Sequence, residues 1–301
     1  MTTGRRAGIR EHGAMRFLLL ALSLLCGAAR AQQTLAPGVT FVPGGYEAGR
    51  QPDANSLLLK GENNNGWLLI DSGRHRAHTE AALAAAGGDV KVVLNTHWHL
   101  DHLGGNAWLR VQRPGVEVWA SPAVAQALAP DGWLDRYRSQ LVEAIPTAPP
   151  EQAAVMRVDL DLLDQAAALR PDHEVAIASA QPLAGRRLQI GVETAVSGGD
   201  LWVLDAESGT LAAGDLVTLP VPFLDTACPP AWREALARIS AQPFKRLVPG
   251  HGPLMSRALS AGEVASRRRW TAPIAACIPP PAPPSGASTP SRGWMTPVAL
   301  A

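Results

Sequence analysis

Thr96-His97-Trp98-His99-Leu100-Asp101-His102 follows directly on the apolar run Val90 to Leu94, and its reading decides the fold. The apolar run has the composition of a buried strand, so the histidines begin at a strand's C-terminal end. His97 and His99 are two apart, which in extended backbone puts both imidazoles on one side. Asp101 and His102 follow where the chain turns into the next helix. Neutral imidazole and carboxylate are the donor set of zinc and related divalent ions. Three of the chain's eight histidines fall in this one stretch, too dense for a chance polar loop.

Upstream, Ser56 to Lys60 and Trp67 to Ile70 are apolar runs joined by Gly61-Glu-Asn-Asn-Asn-Gly66, which predicts a β-hairpin. Asp71-Ser72-Gly73 ends the second strand, and alanine-rich residues 79–86 predict a helix stopped by Gly87-Gly88. Downstream, a strand is expected at 116–119 and mainly helix at 121–170, broken around Pro146, Pro149 and Pro150. Strands are expected again at 174–177, 188–190, 201–204 and 210–213, then a helix at 230–239. A last strand at 245–248 runs into Pro249-Gly250-His251-Gly252. Hairpins, strand–helix alternation and hairpins again describe two β-rich halves covered by helices, with polar chemistry at the C-terminal ends of strands.

These motifs, in this order, resemble the metallo-β-lactamase superfamily of metal-dependent hydrolases over roughly residues 36 to 255. The resemblance implies an α/β fold (α+β by some schemes), a four-layer αββα sandwich with metals at one edge between the sheets. It rests on the His97–His102 stretch, on Asp71-Ser72-Gly73, on Gly214-Asp215-Leu216 and on Gly250-His251-Gly252. It implies His97, His99, Asp101, His102, Asp215 and His251 as ligands of one or two zinc ions, Asp215 bridging them, with Asp71 supporting a ligand imidazole from behind. It further implies metal-bound hydroxide as nucleophile, with Asp101 and Asp215 in the catalytic roles of orienting it and shuttling a proton. The remaining histidines, His75, His78 and His173, are expected to be solvent-exposed, His75 and His78 at the start of a helix that could rim the cleft.

One departure bears on activity. The family's third histidine for the first metal falls at Val196, with Thr194 the other match, and no histidine lies between His173 and His251. Valine cannot ligate a metal. The first subsite is therefore left with His97, His99 and Asp215 and is expected to bind more weakly than the second, which keeps Asp101, His102, His251 and Asp215. Two functions are in view. One is a hydrolase of an ester, thioester, lactone or amide bond in a small molecule. The other is a degenerate relative that binds metal or ligand without turnover.

Composition bounds the rest. Of 301 residues 47% are hydrophobic and 18% charged, enough for a sizeable core and incompatible with a disordered chain. Arg16, the apolar run Phe17 to Leu25 and Ala29-Arg30-Ala31 predict a signal peptide over 1–31, with Met1 or Met15 as the start and a periplasmic or secreted destination. The run is too short for the ~18–20 apolar residues of a membrane span. Removing the leader takes five arginines and one glutamate from a chain of 27 basic and 26 acidic residues, turning the net charge from +1 to −3, so no basic stripe remains for nucleic acid. The domain is expected over 32–275 and a Pro-rich, disordered tail over 276–301. Neither the pairing of Cys228 with Cys277 nor the oligomeric state can be read from the sequence. The mature chain is expected to begin near Gln32: N-terminal sequencing of exported protein checks this, and an intact Met1 or Met15 contradicts it.

Overall fold

Seven strands form one sheet in the order β1 (Gln33–Ala36), β2 (Val39–Val42), β3 (Ser56–Lys60), β4 (Trp67–Ile70), β5 (Val90–Leu94), β6 (Glu117–Ala120) and β7 (His173–Glu174). The first three pairings are antiparallel and the last three parallel. A second sheet runs β13 (Met255–Ser256), β12 (Arg246–Val248), β11 (Thr210–Ala212), β10 (Asp200–Asp205), β9 (Arg186–Glu193) and β8 (Ser179–Leu183), with β11 and β12 its parallel pair. The computed structural model describes residues 32–63, 65–220, 224 and 226–257. The expected leader, the 276–301 tail and Cys277 lie outside the described residues, while Cys228 is disulfide-bonded.

Strand composition explains the layering. Leu57-Leu58-Leu59 and Leu68-Leu69-Ile70 are apolar at every position because both faces of their sheet are covered. Leu57, Leu59, Leu68, Ile70, Val92 and Leu94 meet Leu188, Ile190, Leu201 and Val203 of the second sheet in one buried cluster, the middle of the sandwich. Leu58, Leu69 and Val93 face the other way, against Ala82 and Ala86 of α1 (Arg76–Ala86) and Leu109. After α2 (Leu100–Leu103) and α3 (Gly105–Gln112), the chain adds α4 (Pro122–Ala127), α5 (Trp133–Ala144), α6 (Pro150–Leu163) and α7 (Ala166–Leu169). On the far side, α8 (Pro229–Ala241) buries Trp232, Ala235, Leu236 and Ile239 over Trp202, Leu204, Leu211 and Leu247. The layers are helix, sheet, sheet, helix, as the resemblance implies. Among the described residues no helix is long and apolar enough to cross a membrane.

Two departures from the sequence reading lie at sheet edges. β8 is Ser-Ala-Gln-Pro-Leu, an outer strand whose Pro182 cannot donate to a ladder, so it carries no strand signature. The strand expected at 174–177 stops at Glu174, and Ile177 is 76% exposed. β9, an inner strand paired on both sides, is longer than the 188–190 expected. Gly191 lies opposite Trp202 in register, and a Cβ there would run into the indole. Gly191→Ala is therefore predicted to destabilise the fold by ~1–3 kcal/mol through overpacking. Urea denaturation measures this, and an unshifted midpoint contradicts the packing.

Candidate metal centre

The parallel pairs β4–β5 and β11–β12 end at the same edge of the sandwich. β4 runs into Asp71 and β5 into Asn95-Thr96-His97, while β11 leads to Asp215 and β12 to His251. Asp71 sits in the left-handed region at φ 58°, a conformation aspartate tolerates better than most side chains. There its Oδ1 accepts the Thr96 amide at 2.8 Å, and its Oδ2 accepts the Thr96 hydroxyl and His102 Nδ1, each at 2.8 Å. The single hydroxyl proton of Thr96 is thus spent on Asp71, so the 3.0 Å contact with His97 Nδ1 has the imidazole donating. His97 and His102 are both held as Nδ1–H tautomers, which leaves the Nε2 lone pair of each facing inward.

Asp215 stands between the histidines. Its Oδ2 is 3.6 Å from His97 Nε2 and 3.5 Å from His99 Nδ1. Its Oδ1 is 3.2 Å from His102 Nε2 and 3.6 Å from His251 Nε2, and accepts the Thr218 hydroxyl at 2.9 Å. Asp101 Oδ2 lies 2.9 Å from His251 Nε2 and 3.9 Å from His102 Nε2. Glycine makes this crowding feasible: a Cβ on Gly250 would collide with Asp215 Oδ1, and one on Gly214, at φ 50°, would come within 2.5 Å of Thr96 Oγ1.

The donor set fits metal ions. Among the described residues, the buried side-chain polar atoms without a hydrogen bond are His97 Nε2, His102 Nε2 and His251 Nε2. The nearest carboxylate oxygens lie 3.6 Å from His97 Nε2, 3.2 Å from His102 Nε2 and 2.9 Å from His251 Nε2. Buried polar atoms are almost always paired, so three orphans converging on two carboxylates call for a cation. They fall into two groups, His97, His99 and Asp215, and Asp101, His102 and His251, the atoms of each within 4.8 Å of one another.

Burial disfavours charge on His102 and His251, yet the surrounding carboxylates outweigh it and raise both pKa values, Asp71, Asp215 and Asp101 acting on the first, Asp215 and Asp101 on the second. His97 is pushed down by burial and by neighbouring His102 and His99. Asp101 and Asp215 fall well below the usual range: burial opposes this, but His102 and His251 prevail.

All six residues expected as ligands therefore come together at one edge, with Asp71 directly behind His102. Val196 offers no donor to the first group. Its neighbour Ser197 accepts Trp98 Nε1 at 2.8 Å, and its own side chain is buried in the apolar cluster under α8. His173 is exposed as expected. His78 is not: it is buried against Ser56, its Nε2 2.8 Å from the hydroxyl, because the helix begins three residues earlier than the alanine run suggests. His75 is half-buried on Asp53, 3.0 Å away. The sequence reading passed over Thr96, Arg74 and Tyr46. Tyr46, 52% exposed, has its ring 5.5 Å from His251 in the loop between β2 and β3, where no motif marks it.

The chain belongs to the metallo-beta-lactamase superfamily, whose model matches residues 49–251. Among solved structures it is similar to a metallo-beta-lactamase family protein from Thermus thermophilus, with 19% identity and a TM-score of 0.58 over 78% of this chain and 81% of that one. A metallo-beta-lactamase from Pontibacter korlensis matches with 21% identity and a TM-score of 0.54 over 79% and 98%. FIM-1 from Pseudomonas aeruginosa, described in a mono-zinc form, matches with 16% identity and a TM-score of 0.53 over 80% and 96%. In sequence, a 75-residue stretch is 39% identical to an atrochrysone carboxyl ACP thioesterase of Aspergillus fumigatus, spanning 24% of this chain and 24% of that protein. These structural likenesses speak to the fold.

Two predictions come from the donor geometry. His102→Ala should lose more metal on dialysis than His97→Ala, since His102 belongs to the group with the fuller ligand set; elemental analysis checks this, and equal loss contradicts it. Zinc binding should tighten as pH rises and release protons near neutrality, because the raised pKa values of His102 and His251 keep protons on nitrogens that an ion must displace. Calorimetry in two buffers of different ionisation enthalpy measures the release, and identical heats contradict it.

Proposed function

We propose that the protein is an exported, zinc-dependent hydrolase of an ester, thioester, lactone or amide bond in a small molecule. The observation that carries this reading is the trio of buried, unbonded imidazole nitrogens around two carboxylates. The superfamily supports metal-dependent hydrolysis, the thioesterase relative favours the thioester end of the range, and the mono-zinc neighbour favours zinc. Export rests on the composition of residues 1–31 alone.

His97, His99 and Asp215 would hold one ion, and Asp101, His102 and His251, with Asp215 shared, the other. When bound, such ions supply a water acidified toward neutrality and a Lewis acid for the substrate's carbonyl oxygen. Asp101 and Asp215 would orient that water and could take up its proton. Asp71 and Thr96 keep His97 and His102 in the tautomer that ligates. At the rim, burial together with Asp101 and Asp215 pushes the Tyr46 phenol up to about 12, so it stays protonated and would be able to donate a hydrogen bond to a substrate oxygen.

A second reading is a metal- or ligand-binding protein without turnover, favoured by Val196 at the third histidine's position, packed into an apolar core. Metal analysis with a hydrolysis screen on ester, thioester, lactone and amide substrates separates the two. Zinc with turnover supports the hydrolase, and zinc without turnover supports the second reading. Asp215→Asn keeps the shape of the side chain but removes the charge facing both groups. It is predicted to lower turnover ~100-fold or more with circular dichroism unchanged. Full turnover in this variant contradicts the proposed role of Asp215.

A further inference from the structure

We propose that Arg74 is a positioning residue for Asp101, and that Asp159 and Tyr137 hold Arg74 in that role from the helical pair α5–α6. The inference rests on the reading of Asp101 as a ligand of the second group.

Arg74 follows the Asp71-Ser72-Gly73 turn, and its side chain is buried at 9% exposure. Its guanidinium has three neighbours. Nε donates to the Pro52 carbonyl at 3.3 Å, Nη1 pairs with Asp159 Oδ1, and Nη2 lies 3.7 Å from Asp101 Oδ1. Asp159, itself 2% exposed, accepts the Tyr137 hydroxyl at 2.9 Å on its other oxygen. The carboxylate of Asp101 is thereby divided. Oδ1 faces Arg74, and Oδ2 faces His251 Nε2 at 2.9 Å.

A buried ion pair that only joined α6 to the body would add little stability, since well-packed apolar residues serve as well. Here one guanidinium is shared between two carboxylates, only one of which belongs to the site. Asp159 offsets most of Arg74's charge. The remainder fixes the rotation of Asp101 without competing strongly with a cation for it. With Asp159 neutral, the whole charge of Arg74 would fall on Asp101 and draw Oδ1 and Oδ2 toward it. The rigid fork of arginine suits this shared geometry, which the point charge of lysine cannot reproduce.

The same helical pair also reaches the first group. Tyr137 stacks on Trp133 at 5.3 Å, Trp133 on Trp98 at 4.7 Å, and Trp98 meets His99 edge-on at 4.7 Å. Residues 133–163 thus touch the candidate centre by a polar route at Asp101 and an aromatic one at His99.

The test is zinc affinity by competition with a chelator on the full chain, unsubstituted and with His97→Ala, which leaves the second group alone. Asp159→Asn should weaken the second group ~10–100-fold, the range for outer partners of metal ligands, and Tyr137→Phe by a smaller factor in the same direction. Arg74→Lys should weaken it as well, despite keeping the charge. Thermal melting of the metal-free chain runs alongside. Lower melting temperatures with zinc affinity unchanged in all three variants would make these residues structural and overturn the proposal. Should Asp159→Asn fail to fold, Tyr137→Phe decides by the same criterion. No zinc binding in the unsubstituted chain would overturn the ligand reading itself, and this proposal with it.

Discussion

Asp101 and Asp215 are two buried carboxylates a few ångströms from three imidazole Nε2 atoms with no hydrogen bond of their own, and most of the local structure serves to hold them there. Isolated charges are expensive to bury, and unpaired polar atoms add a smaller cost of their own. The chain accepts that density because much of the cluster is tied down from outside. Asp71 and Thr96 fix the far nitrogens of His97 and His102, Thr218 fixes Asp215, and Arg74 faces Asp101. A divalent cation is the species that satisfies all of the inward-facing atoms at once.

The sandwich supplies the converging backbones. Ladders of parallel strands, β4 with β5 and β11 with β12, end at one edge, so four turns from two sheets meet without any long loop crossing the core. Where the turns touch, side chains are absent: Gly214 lies against Thr96 and Gly250 against Asp215. The middle cluster of leucine, isoleucine and valine keeps the two sheets in register, and hence the two halves of the site.

The candidate ligands were legible in the sequence because they are local: histidines and aspartates at fixed spacing after an apolar strand, or a glycine-flanked aspartate or histidine after one. The αββα architecture was legible through the same motifs and the order of apolar runs. What stayed hidden is long-range. Arg74 meets Asp159 across 85 positions, and neither residue sits in a pattern that announces the other. His78 looked like a surface residue on a helix start, yet Ser56 of a neighbouring strand accepts it into the core. β8 escaped because an edge strand with a proline and polar residues has no apolar period to read. Val196 was legible as a missing ligand, while its burial under α8 with Trp202 and Trp232 was not.

The central claim is that this buried knot of histidine and aspartate is a metal centre. Anomalous diffraction at the zinc edge, from crystals of the zinc-loaded protein, tests it most directly. The account predicts a strong peak ~2.0–2.2 Å from His102 Nε2, His251 Nε2 and a carboxylate oxygen of Asp101, with a weaker peak beside His97 and His99. A map with no peak at this edge of the sandwich, or with zinc bound only elsewhere on the surface, would contradict it.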